Sequence, residues 1–450
     1  MPLPSCRQHP ASGSGTSTIR TLWGARRGLT VRLYGKLLAY DRGSLKTMPN
    51  MLRTFGTLVF LGAQVLAAQT VSAPTLPPEV QRHIERVITC LQPKVVVKDD
   101  PHPCATLKER MAALHVPGVS IYVMHEGASW GRGFGVTQLG GRPVFPNTLF
   151  QAGSISKPVA AMAALHLVQE TKLTLDADIN SELITWKLPS SPAANGKIVT
   201  LRELLTHTAG LNVHGFPGYA AGEPVPTLIQ VLDGQKPANT EPIRIENEPG
   251  SQWRYSGGGF TVMQQTFLDV TREPFPNLMR DTVLVPLGML HSTYQQPLPQ
   301  ELQASAATPY DENGSPVTGG PHTYPEMAAA GLWTTAPDLG RFAEELERSL
   351  RGKGNLHGVL NRELARQMVT PGKGKWGLGL EIGGSDADPY FSHGGSDAGF
   401  ESLLVEYENH LDGAVVMTNA QGGIRLAEEI MQSIATEYGW PDFRPTVRPR

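Results

Sequence analysis

Ser154 and Lys157 stand three residues apart in "AGSISKPVAAMA", at the mouth of an apolar, alanine-rich run. Residues i and i+3 share one helix face, so hydroxyl and amine meet there. At a helix N-terminus that face also looks on unpaired backbone N–H groups and the positive dipole end. A serine hydroxyl is a poor nucleophile until a base takes its proton. A lysine shielded from water in that field can serve as the base. The same N–H groups can hold an oxyanion. Pro158, in the first turn, costs no helical hydrogen bond. Taken alone, the pattern is better read as a capped helix with a solvated lysine.

Two other stretches carry groups suited to the same chemistry. In "PGSQWRYSGGGFTV", Tyr255 precedes four small residues and a new helix. A phenol beside a cation can shuttle a proton; the plainer reading is a packed aromatic at a loop corner. In "YFSHGGSDAGFESLL", the spacing predicts a strand ending at His393 and a second strand after Gly399. The glycines between them let a substrate approach the strand edge closely. They also leave main-chain N–H groups free, that of Ser396 among them. A bulged hairpin would look the same.

Together and in this order the three stretches closely resemble the serine β-lactamase and penicillin-binding-protein superfamily. The matching motifs are Ser154-Ile155-Ser156-Lys157, Tyr255-Ser256-Gly257 and His393-Gly394-Gly395. The branch most similar is that of class C β-lactamases and their esterase and D-aminopeptidase relatives. "HVPGVSIYVM", "VTLRELLTHTAGL" and "AAAGLWTTAPDLGRF" add to the resemblance, which spans about residues 104 to 437. It implies an acyl-enzyme on Ser154, with Lys157 as its base and Tyr255 as a second proton shuttle. The N–H groups of Ser154 and Ser396 would form the oxyanion hole. Gly257, His393, Gly394 and Gly395 would line the substrate edge.

Two positions depart from the family pattern. Gly257 stands where the family has Asn, so no amide is offered there. His393 stands where the family has Lys, and a histidine is mostly neutral at pH 7. Both changes weaken the case for an efficient β-lactamase. They suit an esterase or a D-amino-acid peptidase acting on a small ester, amide or peptide. A penicillin-binding D-Ala-D-Ala peptidase, a weak β-lactamase, or an impaired protein that only binds a cell-wall ligand are the other readings.

The elements around these residues predict one mixed α/β unit, of the β-lactamase and transpeptidase type. An antiparallel sheet comes from both chain ends, with a mainly helical lobe inserted. "GVSIYVMHEG" near the start, and "GFESLLVEYEN" and "DGAVVMTN" near the end, read as strands. "PPEVQRHIERVITCL", "ATLKERMAALH" and "IRLAEEIMQSIATEYG" read as helices. His207 in "LLTHTAGL" is expected at a helix end with Gly210 as the cap. Trp333 is expected in the core, and Glu326 and His322 are weaker candidates for the cleft.

The chain has 450 residues, net charge -2, 40% hydrophobic and 18% charged residues. That is globular composition, with no basic stripe for nucleic acid. No His/Cys/Asp cluster has metal-ligand spacing and there is no phosphate loop, so no cofactor is expected. Residues 1–50 are rich in Arg, Ser and Gly and read as an upstream extension of the true start. Residues 51–73, "MLRTFGTLVFLGAQVLAAQTVSA", have the layout of a secretory signal peptide. The apolar run is short for a membrane span. The sequence thus predicts a periplasmic or secreted protein without an integral span after cleavage. Residues 74–103 form an N-terminal helix and loop, and 104–445 the hydrolase domain. Export makes a disulfide between Cys90 and Cys104 the expected pairing. The oligomeric state is not legible.

Overall fold

Val119, Ile121 and Val123 point to one side of their strand, Tyr122 and Met124 to the other, and both sides are covered. A computed structural model describes residues 76–98, 104–353 and 359–448. The expected leader lies outside the described residues. The central sheet is formed by β1 (Gly118–His125), β2 (Ala128–Gly135), β3 (Glu381–Gly384), β4 (Pro389–Asp397), β5 (Phe400–Tyr407) and β6 (Gly413–Thr418). Its order is β2-β1-β6-β5-β4-β3, and every pairing is antiparallel. The first two strands and the last four are joined by a long, mainly helical insertion. This is the architecture expected from the sequence.

The helices that matter are α1 (Pro78–Thr89), α2 (Leu107–Ala113), α3 (Ser156–Gln169), α4 (Gly257–Thr271), α5 (Ala336–Leu350) and α6 (Gly423–Glu437). On one sheet face, Val119, Ile121, Val405 and Val416 pack with Ile84 of α1, Met111 of α2 and Ile430 of α6. On the other, Met124, Phe400, Leu404 and Met417 pack with Val159 of α3, Phe260 of α4 and Phe342 of α5. The period-2 alternation of the strands therefore decides which helices lie on which face. Eleven of the 14 residues of α3 are buried, so this helix is a central spine rather than a surface element. Trp333 is in the core as expected, at 1% exposure. It takes part in a short antiparallel pairing of Phe150–Gln151 with Trp333–Thr334. Cys90 and Cys104 are joined in a disulfide.

Two local expectations are corrected. β4 does not end at His393 but continues to Asp397, with Gly394 opposite Leu403 and Gly395 opposite Ser402. The hairpin turn falls later, at Gly399, whose φ of 73° is left-handed. What does end near His393 is the other neighbour. β3 pairs β4 only as far as Ser392, so one edge of β4 is left open beyond it. The second correction concerns Ser154. It lies in a 3₁₀ turn, Gly153–Ile155, and α3 proper begins at Ser156.

Candidate active site

The open edge of β4 and the turn before α3 are fitted to each other by two glycines. Gly153 has φ 52°, and a Cβ there would overlap the backbone of Ser396. A Cβ on Gly395 would overlap the Ala152 carbonyl oxygen. Only residues without side chains allow this approach. Ser402 Oγ ties the two elements by donating to Ala152 O at 2.9 Å. The main chains of Ser154 and Ser396, the expected oxyanion donors, are thereby neighbours. Beside Gly394 the space is open, its nearest atom being Ser402 O at 3.9 Å.

Ser156 holds the turn. Its hydroxyl donates to Gly153 O at 2.6 Å and accepts from the Leu332 N–H at 3.0 Å, fully buried. The next residue, Lys157, is 1% exposed. Its Nζ donates to Ser154 Oγ and to Ala329 O, both at 2.9 Å. The pair expected from spacing is thus in direct contact, fixed from the far side by a carbonyl that no motif marks.

Tyr255 reaches the lysine differently from expectation. Nζ stands 4.9 Å from the centre of its ring, a cation–π contact. Its hydroxyl hydrogen-bonds neither Ser154 nor Lys157. The residue after it sets its place: Ser256 caps α4 by accepting from the Gly259 N–H at 3.1 Å and donates to Asn212 O at 2.6 Å. Gly257 opens α4. A Cβ there would meet His214 O and the Phe216 ring, each at 3.0 Å. Phe216 and the His214 main chain thus border the place where an asparagine amide would project.

His207 is not merely a helix-end residue. Its helix stops at Leu205 with Thr206 as the cap, and Gly210 is not part of it. His207 itself is left-handed, φ 57°, and its ring lies 4.2 Å from that of Tyr255. It is 2% exposed, and its Nδ1 accepts the Ser256 N–H at 3.1 Å. Burial, followed by the Lys157 charge, holds its pKa well below the usual histidine value. His393 is 3% exposed, and burial, again followed by Lys157, pushes it down to about 3. Its Nδ1 donates to Gly394 O at 2.5 Å, so Nε2 carries the lone pair. Trp376 lies between, 5.7 Å from Tyr255 and 5.5 Å from His393.

Glu326 does not line the cleft. It is fully buried, and burial raises its carboxyl to about 8. His322 Nδ1 donates to Pro217 O at 2.9 Å. Trp376 and Glu401, which accepts from Ser396 Oγ at 2.9 Å, were not singled out from sequence, and His207 was read only as a helix-end residue. An acid inside the apolar strand "FESLLV" was the one available signal. Among the described residues no group of three His, Cys, Asp or Glu side chains could hold a metal ion.

Comparison with known proteins shows the family and the fold. A β-lactamase of Lysobacter lactamgenus is 32% identical over 235 residues, covering 52% of this chain and 56% of the relative. Esterase EstB of Burkholderia gladioli is 28% identical over 234 residues, covering 46% and 59%. The chain spans about three fifths of the length of the curated relatives it matches. Among solved structures, the octameric penicillin-binding protein homologue from Pyrococcus abyssi superposes with a TM-score of 0.61 at 24% identity, over 74% of this chain and 76% of that one. That likeness establishes the fold. The family model described as Beta-lactamase matches residues 105–435, and the chain belongs to that family.

Proposed function

We propose that this chain is an exported serine hydrolase that forms an acyl-enzyme on Ser154 with small esters or amides that carry no carboxylate, D-amino-acid amides included. The observation that carries the reading is the 2.9 Å contact between Lys157 Nζ and Ser154 Oγ in a buried setting, beside the open edge of β4. Ser154 Oγ attacks the carbonyl carbon, and its proton passes along that contact to Nζ. The carbonyl oxygen becomes an oxyanion between the N–H groups of Ser154 and Ser396. The tetrahedral intermediate collapses, the bond to the leaving group breaks, and the proton goes to the departing oxygen or nitrogen. Tyr255, its ring against Nζ, offers the second path for it once substrate brings its hydroxyl into reach. Water then repeats the sequence on the acyl-enzyme and releases the acid.

The choice of substrates without a carboxylate rests on His393. A buried imidazole with its pKa near 3 is neutral at pH 7 and offers no cation to a carboxylate. Gly257 adds no amide. These two positions argue against a D-Ala-D-Ala peptidase or an efficient β-lactamase. The disulfide and the leader-like sequence before it support export.

The test is labelling of the folded protein. A fluorophosphonate should add to Ser154, seen by intact mass and peptide mapping, and short-chain p-nitrophenyl esters should turn over. A fluorescent penicillin should label slowly or not at all. Folded protein that gives no adduct with either reagent is a binding protein and overturns the proposal.

A further inference from the structure

Behind the expected oxyanion donor lies a carboxylic acid that the mechanism above does not use. Glu401 sits on β5 directly opposite Ser396 of β4 and is 7% exposed. Its Oε1 accepts from Ser396 Oγ at 2.9 Å and from Gln421 Nε2 at 2.8 Å. Gln421 is anchored in turn, since its Oε1 accepts the Gly399 N–H at 3.0 Å in the hairpin turn. The three side chains therefore brace the segment that carries the Ser396 N–H. They also put a titratable oxygen one hydrogen bond from Ser396.

The surroundings of Glu401 do not compensate a charge. From β6 it meets Thr418, whose hydroxyl donates to the Glu401 main-chain oxygen at 3.1 Å, and from α6 it meets Gly423. From β4 it faces Asp397, a second buried carboxyl, pushed well above its ordinary value by burial and further by Glu401. The Lys157 charge and the Tyr324 hydroxyl act on Asp397. The influences on Glu401 are its burial and the hydrogen bonds from Ser396 and Gln421. We propose that Glu401 is a positioning residue of the oxyanion site that serves in its neutral form, and that its ionisation slows acyl transfer. Neutral, it holds Ser396 in place without opposing charge. Ionised, it sets a negative charge beside the point where the carbonyl oxygen becomes negative, and like charges repel there. Burial, outweighing the two hydrogen bonds, raises its pKa to about 7, so the change falls in the neutral range.

This inference rests on the hydrolase reading, and its test separates the two. For the full chain, kcat and kcat/KM for p-nitrophenyl butyrate are measured from pH 5.5 to 9, with fluorophosphonate labelling of Ser154 at each pH. The wild type should lose about three- to tenfold in kcat as pH rises through 7. Glu401→Gln keeps both hydrogen-bond acceptances and should lack that fall. Gln421→Leu removes a hydrogen bond that lowers the Glu401 pKa, so it should move the fall to higher pH. The Gln421 variant keeps the question answerable if Glu401→Gln does not fold. A fall that persists unchanged in Glu401→Gln, or stays put in Gln421→Leu, overturns the role of Glu401 and leaves the hydrolase standing. No labelling and no turnover at any pH removes both.

Discussion

The nucleophile turn and the ring wall opposite it are both buried, but they treat their polar atoms in opposite ways. In the turn, Ser156 Oγ, Lys157 Nζ and Ser154 Oγ are all engaged by neighbours at 2.6–3.0 Å. In the wall, His207 Nε2, His393 Nε2 and Trp376 Nε1 are buried without a hydrogen-bond partner among the described residues. The hydrogen bonds at Nδ1 assign opposite tautomers to the two histidines. His207 accepts at Nδ1 and so carries its proton on Nε2; His393 donates at Nδ1 and presents a lone pair at Nε2. A fully bonded turn is rigid and keeps its geometry for chemistry. A wall with unmade hydrogen bonds is where a bound substrate has something to add. On the proposed hydrolase reading, the turn is the part that reacts and the wall the part that selects.

The largest effect should come from breaking the turn. Lys157→Ala removes the amine that contacts Ser154 Oγ and leaves Ala329 O without that donor. Ester turnover should fall about a thousandfold or more, and fluorophosphonate labelling should slow in parallel. The loss should lie mostly in kcat. Activity within tenfold of wild type would place the base elsewhere.

The wall should show itself in stability against pH. His393 has its folded pKa lowered to about 3, so the unfolded chain binds more protons below pH 6.5. Stability from the neutral ring is present above pH 6.5 and is lost as pH falls toward 3. By pH 4.5 the loss at this one site is about 2–3 kcal/mol. His393→Gln should remove that part of the slope in urea melts run at pH 7.5 and 4.5. His207, also held low, keeps its own contribution in both proteins. Equal slopes for wild type and variant would mean that the imidazole can take up a proton in the fold.

The turn was far more legible than the wall, and there are physical reasons. Ser154 and Lys157 are brought together by local spacing, which a sequence states outright. The sheet was legible because short apolar runs bounded by turn residues, such as "GVSIYVM" and "GAVVMT", read as buried strands. The wall is built by contacts between segments far apart in sequence, such as His207 with Tyr255 and Trp376 with His393. The unusual left-handed backbone of His207 has no motif, and Gly210 drew attention away from it. The two glycines of "HGG" were read as a strand break, yet they continue a regular ladder whose outer neighbour has ended. Glu401 was missed because a lone acid in a strand ordinarily marks a solvent face.

The smallest effect tests whether Phe216 has taken over the place of the family asparagine. A Cβ at Gly257 would sit 3.0 Å from both the Phe216 ring and His214 O, inside normal contact. Alanine would otherwise favour the helix over glycine, so the crowding and the propensity oppose each other. Crowding should win by about 1 kcal/mol, because the His214 carbonyl accepts the Gly257 N–H at 3.0 Å and cannot retreat freely. Phe216→Ala should relieve much of that strain. The double variant should then deviate from additivity by about 0.5 kcal/mol or more in thermal or urea melts. Additive effects would mean that Phe216 yields easily and that the pocket can admit a larger residue at 257. In that case the glycine, rather than the aromatic ring behind it, is what leaves position 257 without the side-chain amide of the family pattern.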